Sequence, residues 1–497
     1  MFEITRKDIV NMFNRIKKEI KVELNRENYS RALYLIDRAA VWGYFYNFQY
    51  SDDDLERYIQ ILANHYREKL SFIPKKQTSD RVLLVTSRIS DNHELIRQYA
   101  RALVVCDKPS KIIAMRNDST MSKCANLLRE IENKVEIEWI EESDNYDEKV
   151  ISIAKAIYSY NPTKVLTHVI PWDVCSIVAV MAAKTCPCFN ICFNDHTFWI
   201  GKSMLDYLIE FRSYGATISV EKRCISPEQL IHIPYYPIVT EDVPFQGFPF
   251  DREGKIVFFS GGDGYKMMDK SNTYFNNIDR ILDENPKAVF FLASGRTDFL
   301  KLKTKNLKNK DRIYISNNRR DIYAVFKNCD IYYGTYPLVG ALMSEYAALC
   351  GKPIVARSKK KTSLEEISGI LNHKYPEKVA FTTNDEMYEY AHKLCDDVSF
   401  RQAEGERLKK NMTSRAEFET KVLNVINGNL ETYDFQPLDM DYEDIERFYR
   451  EFSIKYAEAH VGVLYHIFGI RTLVMWPKLI QHFIRAATVI IKKVAGQ

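Results

Sequence analysis

Two short stretches gather side chains that could move a proton or hold a phosphate. The first is Asn194-Asp195-His196-Thr197-Phe198-Trp199-Ile200-Gly201, which follows the apolar run Phe189–Phe193. A carboxylate beside an imidazole at the end of a strand can act as a general base, because polar loops collect there around a ligand. Asp195 and His196 are therefore base candidates, and a pair that only caps the loop is the plain alternative. Asp206 and Arg212 read as lying on a following helix that supports this loop. His93, in Ser87-Arg88-Ile89-Ser90-Asp91-Asn92-His93, is a further candidate near a helix start, with Arg97 one turn on. The second stretch is Ile256-Val257-Phe258-Phe259-Ser260-Gly261-Gly262-Asp263-Gly264-Tyr265-Lys266. Glycines without Cβ atoms let a backbone turn approach a diphosphate closely, and Lys266 can neutralise it. The stretch matches neither the Walker pattern nor the dinucleotide fingerprint, so a simple glycine-rich turn fits equally well.

A third constellation runs from Ile331 to Val355 and reads as strand, loop, helix, glycine stop and strand. The turn Gly340-Ala341-Leu342-Met343-Ser344 opens the helix, where unsatisfied N–H groups and the positive dipole end suit phosphate. Glu345, one turn in, could accept hydrogen bonds from a ribose; a solvated helix glutamate is the bland alternative. Gly351 suits a left-handed cap, and Lys352-Pro353 prevents further helix. Arg296, after Ala293-Ser294-Gly295, could pair with phosphate. Asn317-Asn318-Arg319-Arg320 precedes a helix.

These stretches must be positioned by something, and the texture of the chain says what. Residues 1–78 read as helices, with Ile9, Met12, Phe13 and Ile16 at helical spacing and Ser51 as an N-cap. From Arg81, apolar runs alternate with helical patterns: Val82–Thr86, Ile112–Met115, Val135–Ile140, Val165–Ile170, Phe189–Phe193 and Thr217–Val220 read as strands. Pro227, Pro234, Pro237, Pro244 and Pro249 then mark a break over 227–255. The alternation restarts with Ile256–Ser260, Ala288–Ala293, Arg312–Ile315, Ile331–Gly334, Pro353–Ala356 and Lys378–Phe381. The expectation is an α/β protein of two tandem Rossmann-like domains, 79–226 and 256–430, with helical segments at 1–78 and 431–497. Within the last segment, 478–494 predicts a basic amphipathic helix. Leu479, Ile480, Phe483, Ile484, Ala487, Ile490, Ile491 and Val494 form its stripe. Such a helix can lie on an anionic membrane or dock on the protein.

Composition narrows the function classes. The 497 residues hold 70 Lys+Arg against 66 Asp+Glu, a formal charge of +4. That balance excludes a dedicated nucleic-acid binder. The ten cysteines lack zinc-ligand spacing and read as reduced, mostly buried thiols. The start of the chain lacks the apolar core of a signal peptide, and no run reaches the roughly 18 apolar residues of a spanning helix. A cytoplasmic protein is expected, peripheral to the membrane if 478–494 binds there.

The small-residue loop, the helix bearing Glu345, and Gly351-Lys352-Pro353-Ile354-Val355 resemble the donor segment of nucleotide-sugar glycosyltransferases with the GT-B fold. The alternating texture from about 81 to 425 is similar too. The resemblance implies a nucleotide-sugar donor on the second domain, held by Gly261, Gly262, Lys266, Arg296, Gly340, Ala341, Leu342, Ser344 and Glu345. It places a saccharide or lipid-linked acceptor on the first domain, with His196, Asp195 or His93 as base. Retaining members carry a second glutamate eight positions before the one matching Glu345, where this chain has Pro337. That departure points to an inverting transfer, with neither metal nor cofactor. The N-terminal helices are similar to a hairpin of some bacterial glycosyltransferases, suited to homodimer formation or acceptor capture. Rival readings are a polyol-phosphate transferase on the same scaffold and a non-catalytic scaffold protein.

Overall fold

The computed structural model describes residues 5–73, 75, 79–91, 94–116, 123–184, 186–239, 243–269, 271–338, 340–358, 371, 380–453 and 464–472. Strand β1 (Val82–Thr86) is buried at all five positions. A strand without polar alternation needs cover on both faces, which parallel pairing and crossover helices supply. The other strands of its sheet are β2 (Ser110–Arg116), β3 (Glu136–Glu141), β4 (Lys164–His168), β5 (Cys188–Ile191), β6 (Tyr207–Glu210) and β7 (Leu230–His232). Their order is β3-β2-β1-β4-β5-β6-β7, and every pairing is parallel. A second parallel sheet contains β8 (Ile256–Gly261), β9 (Ala288–Ala293), β10 (Ile313–Ser316), β11 (Ile331–Tyr333) and β12 (Ile354–Val355), in the order β10-β9-β8-β11-β12. Strand order reverses between β1 and β4 in one sheet and between β8 and β11 in the other. Crevices at such switch points hold ligands in open α/β folds.

The N-terminal segment is not a separate appendage. Helices α1 (Arg6–Asn25), α2 (Tyr29–Tyr46) and α3 (Asp53–Lys69) share one apolar core with helices Tyr146–Tyr160 and Val174–Ala183 of the first domain. Ile9, Met12, Phe13, Ile16 and Ile20 of α1 all lie in it. Thr5 and Asp8 form a capping box at its start. The cap of α3 is Asp52, one residue beyond the predicted Ser51; its carboxylate accepts the Leu55 N–H at 3.0 Å.

Four expectations need correction. Thr217–Val220 is not a strand: it lies in the helix Ser213–Arg223, buried from Tyr214 to Ser219. The strand is the preceding β6, so Asp206 lies just before a strand, and Arg212 is the N-cap of the helix that follows it. The first sheet also continues past residue 226, through β7. Helix Arg415–Asn427, assigned by its sequence position to the second domain, packs Phe418, Val422, Val425 and Ile426 among Val82, Leu84, Tyr99 and Leu103 of the first. Beyond it, Tyr433 stacks on His232 of the first domain at 4.1 Å.

All ten cysteines are free, though Cys224 is exposed. Burial pushes the Cys186 and Cys188 thiols up to about 11 and about 12. Among the described residues no helix is long and apolar enough to cross a membrane. The stretch 478–494 lies outside the described residues, as does His93.

Candidate active site

Strand β5 delivers the loop that carries Asp195 and His196, and the loop is gripped from several directions. Asp195 is 1% exposed and forms a bidentate ion pair with Arg212, Nε to Oδ2 at 2.6 Å and Nη2 to Oδ1 at 3.3 Å. Its carboxyl stays below the usual range despite burial, because the Arg212 charge and then His196 oppose the cost of desolvation. A buried carboxylate committed to an arginine has the geometry of an anchor for the loop. Arg223 donates from Nη2 to the carbonyls of Asp195 (2.9 Å) and Thr197 (2.8 Å), on either side of His196. Its Nη1 donates to Ser219 Oγ, which donates in turn to Glu210.

The appended helices hold the same loop. Asn47 caps α2 in the left-handed region (φ 42°), where asparagine is tolerated. Its Nδ2 donates to the His196 carbonyl at 3.0 Å, and its Oδ1 accepts the Phe198 N–H at 2.8 Å. Gly43 of α2 admits the Phe198 ring, which would lie 2.7 Å from a Cβ there. The His196 imidazole itself meets the hydroxyl of Tyr449 at Nδ1. Burial pulls His196 down to about 4; Asp195 opposes this, while Arg212, Arg223 and Lys266 add to it. The ring is therefore neutral at pH 7 and able to accept a proton.

Across the cleft, the carboxyl ends of β8, β9 and β11 converge. Gly262 takes φ 148°, which side chains rarely adopt, and lies against Thr335 and the Lys266 chain. Lys266 sits on a short 3-10 turn, Gly264–Met267, and its carbonyl accepts the Leu338 N–H at 3.4 Å. Burial pushes its ammonium pKa down, with Asp263 opposing. Gly261 is held close to Met343 and to the Ala293 carbonyl, so the turn is pressed against the opening of helix Ala341–Leu349. Arg296 is exposed beside Gly264 at the end of β9.

Gly340 caps the helix Ala341–Leu349, and its carbonyl accepts both the N–H (2.9 Å) and the hydroxyl (3.1 Å) of Ser344. Ser344 is 1% exposed and its hydroxyl bonds within the helix. The first turn offers backbone N–H groups with part-buried Ala341 and Leu342, while Glu345 is 2% exposed. Arg319 is likewise structural, bidentate to Asp321 at 2.7 and 2.6 Å.

The two halves meet. Leu338, from the loop after β11, packs with Tyr50, Tyr214, Ile218 and Tyr449 of the first domain. Lys266 is near enough for its charge to lower the His196 pKa. Sequence reasoning brought Lys266, Gly261 and Gly262 to one turn and His196 to the opposite edge. It missed Asn47, Arg223 and Tyr449, which lie far away in the chain; the only local hint was an asparagine just past a helix.

No known family model matches this sequence, and no curated protein matches it. Solved structures do resemble it. An O-GlcNAc transferase mutant from Thermobaculum terrenum is 14% identical with a TM-score of 0.52, covering 89% of this chain and 85% of that one. HepE of Anabaena, in complex with UDP and glucose, is 12% identical at a TM-score of 0.51, covering 70% of this chain and 100% of its own. A Listeria monocytogenes protein described as a UDP-N-acetylglucosamine 2-epimerase is 13% identical at 0.50, covering 73% and 100%. Together with the two parallel sheets, these likenesses show that the chain has the two-domain GT-B fold.

Proposed function

We propose that this chain is a glycosyltransferase that moves a sugar from a nucleotide-sugar donor to a saccharide or lipid-linked acceptor, with inversion and without a metal ion. The observation that carries the reading is the approach of Lys266 to His196. Lys266, a cation suited to phosphate, follows β8 and lies within electrostatic range of His196, a neutral imidazole in the loop after β5. The HepE structure, which contains UDP and glucose, supports a nucleotide-sugar in the corresponding cleft.

In this mechanism the acceptor hydroxyl gives its proton to His196 Nε2, and its oxygen attacks the anomeric carbon from the face opposite the leaving group. The bond from that carbon to the diphosphate breaks, and its electron pair leaves with the nucleotide. Lys266, Arg296, the backbone at Gly261 and Gly262, and the N–H groups opening the helix at Ala341 receive the developing charge. Glu345 serves the ribose. Pro337 stands where a retaining enzyme would present a second carboxylate, which supports inversion. A bound diphosphate also offsets the positive charges that depress His196, so the donor makes the base stronger. The basic amphipathic stretch 478–494 fits work at an anionic membrane surface.

The test is thermal stability against UDP, GDP, CDP and dTDP with their sugar conjugates. Ligand at about 100 times its dissociation constant adds roughly 2.7 kcal/mol, a readable shift. One nucleotide should raise the melting temperature. In Lys266→Met its affinity should fall about 10- to 100-fold, the value of one charged hydrogen bond. Product analysis then separates glycosyl transfer from polyol-phosphate transfer and from epimerisation of the donor. No shift with any nucleotide would defeat the proposal in favour of a scaffold.

A further inference from the structure

Helix Tyr442–Ser453 packs against the first domain and brings Tyr449, near its last turn, to His196. It is firmly seated. Ile445 is fully buried among Tyr50, Tyr214 and Ile218, the Tyr442 hydroxyl donates to Glu221 at 2.6 Å, and Arg6 of α1 pairs with Glu446 at 2.9 Å. Lys222 lies over the Tyr442 ring at 3.9 Å. These contacts fix the helix in rotation and along its axis, so the place of Tyr449, 7% exposed, is determined.

The main chain around His196 is fixed by other groups, Asn47 at its carbonyl and Arg223 at the carbonyls on both sides. What remains to be set is the rotation of the ring and the nitrogen that bears its proton. Tyr449 is the group at Nδ1, with its ring 6.0 Å from the imidazole and inclined by 24°. We propose that Tyr449 is a positioning residue for His196: its phenol oxygen accepts the Nδ1–H, and this leaves the Nε2 lone pair for the acceptor hydroxyl. The inference rests on the reading of His196 as the base and adds the residue that makes it one.

The chemistry favours a phenol at this point. Burial holds the Tyr449 hydroxyl protonated, so the partner at Nδ1 is neutral and adds no third carboxylate to the pocket that holds Asp195 and Glu210. When Nε2 takes the acceptor proton, the imidazolium keeps its Nδ1–H on the Tyr449 oxygen, and that bond strengthens because its donor is now charged. In water a neutral histidine prefers the opposite form, with the proton on Nε2. The tautomer is therefore a readout that packing alone would not move.

The experiment is nitrogen NMR of the full-length chain with labelled histidine, the His196 signals being identified by their loss in His196→Gln. The wild type should carry the proton on Nδ1. Tyr449→Phe, which keeps the ring, should move it to Nε2 and lower kcat about 10- to 100-fold. Its donor KM and melting temperature should stay at the wild-type values. A wild-type His196 protonated on Nε2, or a tautomer and kcat unchanged in Tyr449→Phe, would overturn the inference. The wild-type spectrum decides even if the variant folds poorly. Nucleotide binding is read separately by melting, so loss of the glycosyltransferase reading and loss of the Tyr449 role are distinct results.

Discussion

Replacing Asp195 by asparagine distinguishes an anchor from a base, and the structure sets the size of the effect. The Asp195 and Arg212 side chains are 2% and 5% exposed, and two hydrogen bonds join them. Removing one charge of such a pair costs about 3–5 kcal/mol, because the other remains buried without its counterpart. Arg212 keeps its place over the Tyr214 ring at 4.5 Å and near Phe211 at 5.4 Å, which softens the loss towards about 3 kcal/mol. In a double variant, Asp195→Leu with Arg212→Met, both charges are gone, and stability should return to within about 1–2 kcal/mol of the wild type. With the single variants Asp195→Leu and Arg212→Met measured alongside, the coupling from the cycle should exceed about 2 kcal/mol. Urea unfolding followed by tryptophan fluorescence is the assay, since Trp42, Trp139, Trp172 and Trp199 all lie in the first domain's part of the chain. The folded pKa of Asp195 lies below its ordinary 3.8. Its contribution is therefore complete above that value and is lost only as pH falls through the folded pKa. Measurement at pH 7 sees all of it. A wild-type unfolding midpoint in Asp195→Asn, with activity abolished, would refute the anchor and restore Asp195 as a base.

Two further outcomes follow from the same region. Burial raises Glu210 from 4.5 to about 7, so the folded chain keeps a proton there that the unfolded chain releases. Stability should decline as pH rises from about 4.5 to 7, and Glu210→Gln should flatten that slope in urea midpoints taken across the window. In Gly43→Ala the new methyl meets the fully buried Phe198 ring. The overlap costs about 1–3 kcal/mol against about 1 kcal/mol gained in helix propensity. The melting temperature should fall, and kcat with it, because Phe198 shares the His196 loop. An unchanged kcat would uncouple α2 from the site.

The sequence disclosed the fold where strands are buried on both faces and helices on one. Val82–Thr86 and Ala288–Ala293 were legible because an unbroken apolar run between helical patterns has few other meanings. Helix Ser213–Arg223 was misread for a physical reason. It is buried on nearly every side, so it has no amphipathic stripe, and Thr217-Ile218-Ser219-Val220 imitates the alternation of a strand. Strand β7 was hidden by the prolines around it, which bound it without entering it. The site divided in the same way. Lys266 and its glycines announce themselves because one turn holds them all. Asn47, Arg223 and Tyr449 reach His196 through tertiary packing alone, which no local spacing records.

The return of helix Arg415–Asn427 to the first domain has a consequence for how the chain comes to be folded. Among the described residues, the cores of the second domain draw on 245–412, one continuous stretch. Those of the first take in Phe418, Val422 and Ile426, then Ile445 and Tyr449, and, among the described residues, Leu464. During synthesis the later domain can therefore close on itself while the earlier one still waits for its last parts. Until about residue 464 has emerged, apolar faces of the first sheet and of α1–α3 stay open. The half that is made first is finished last, and a ribosome stalled after the second domain would display a sealed body tethered to an unsealed one.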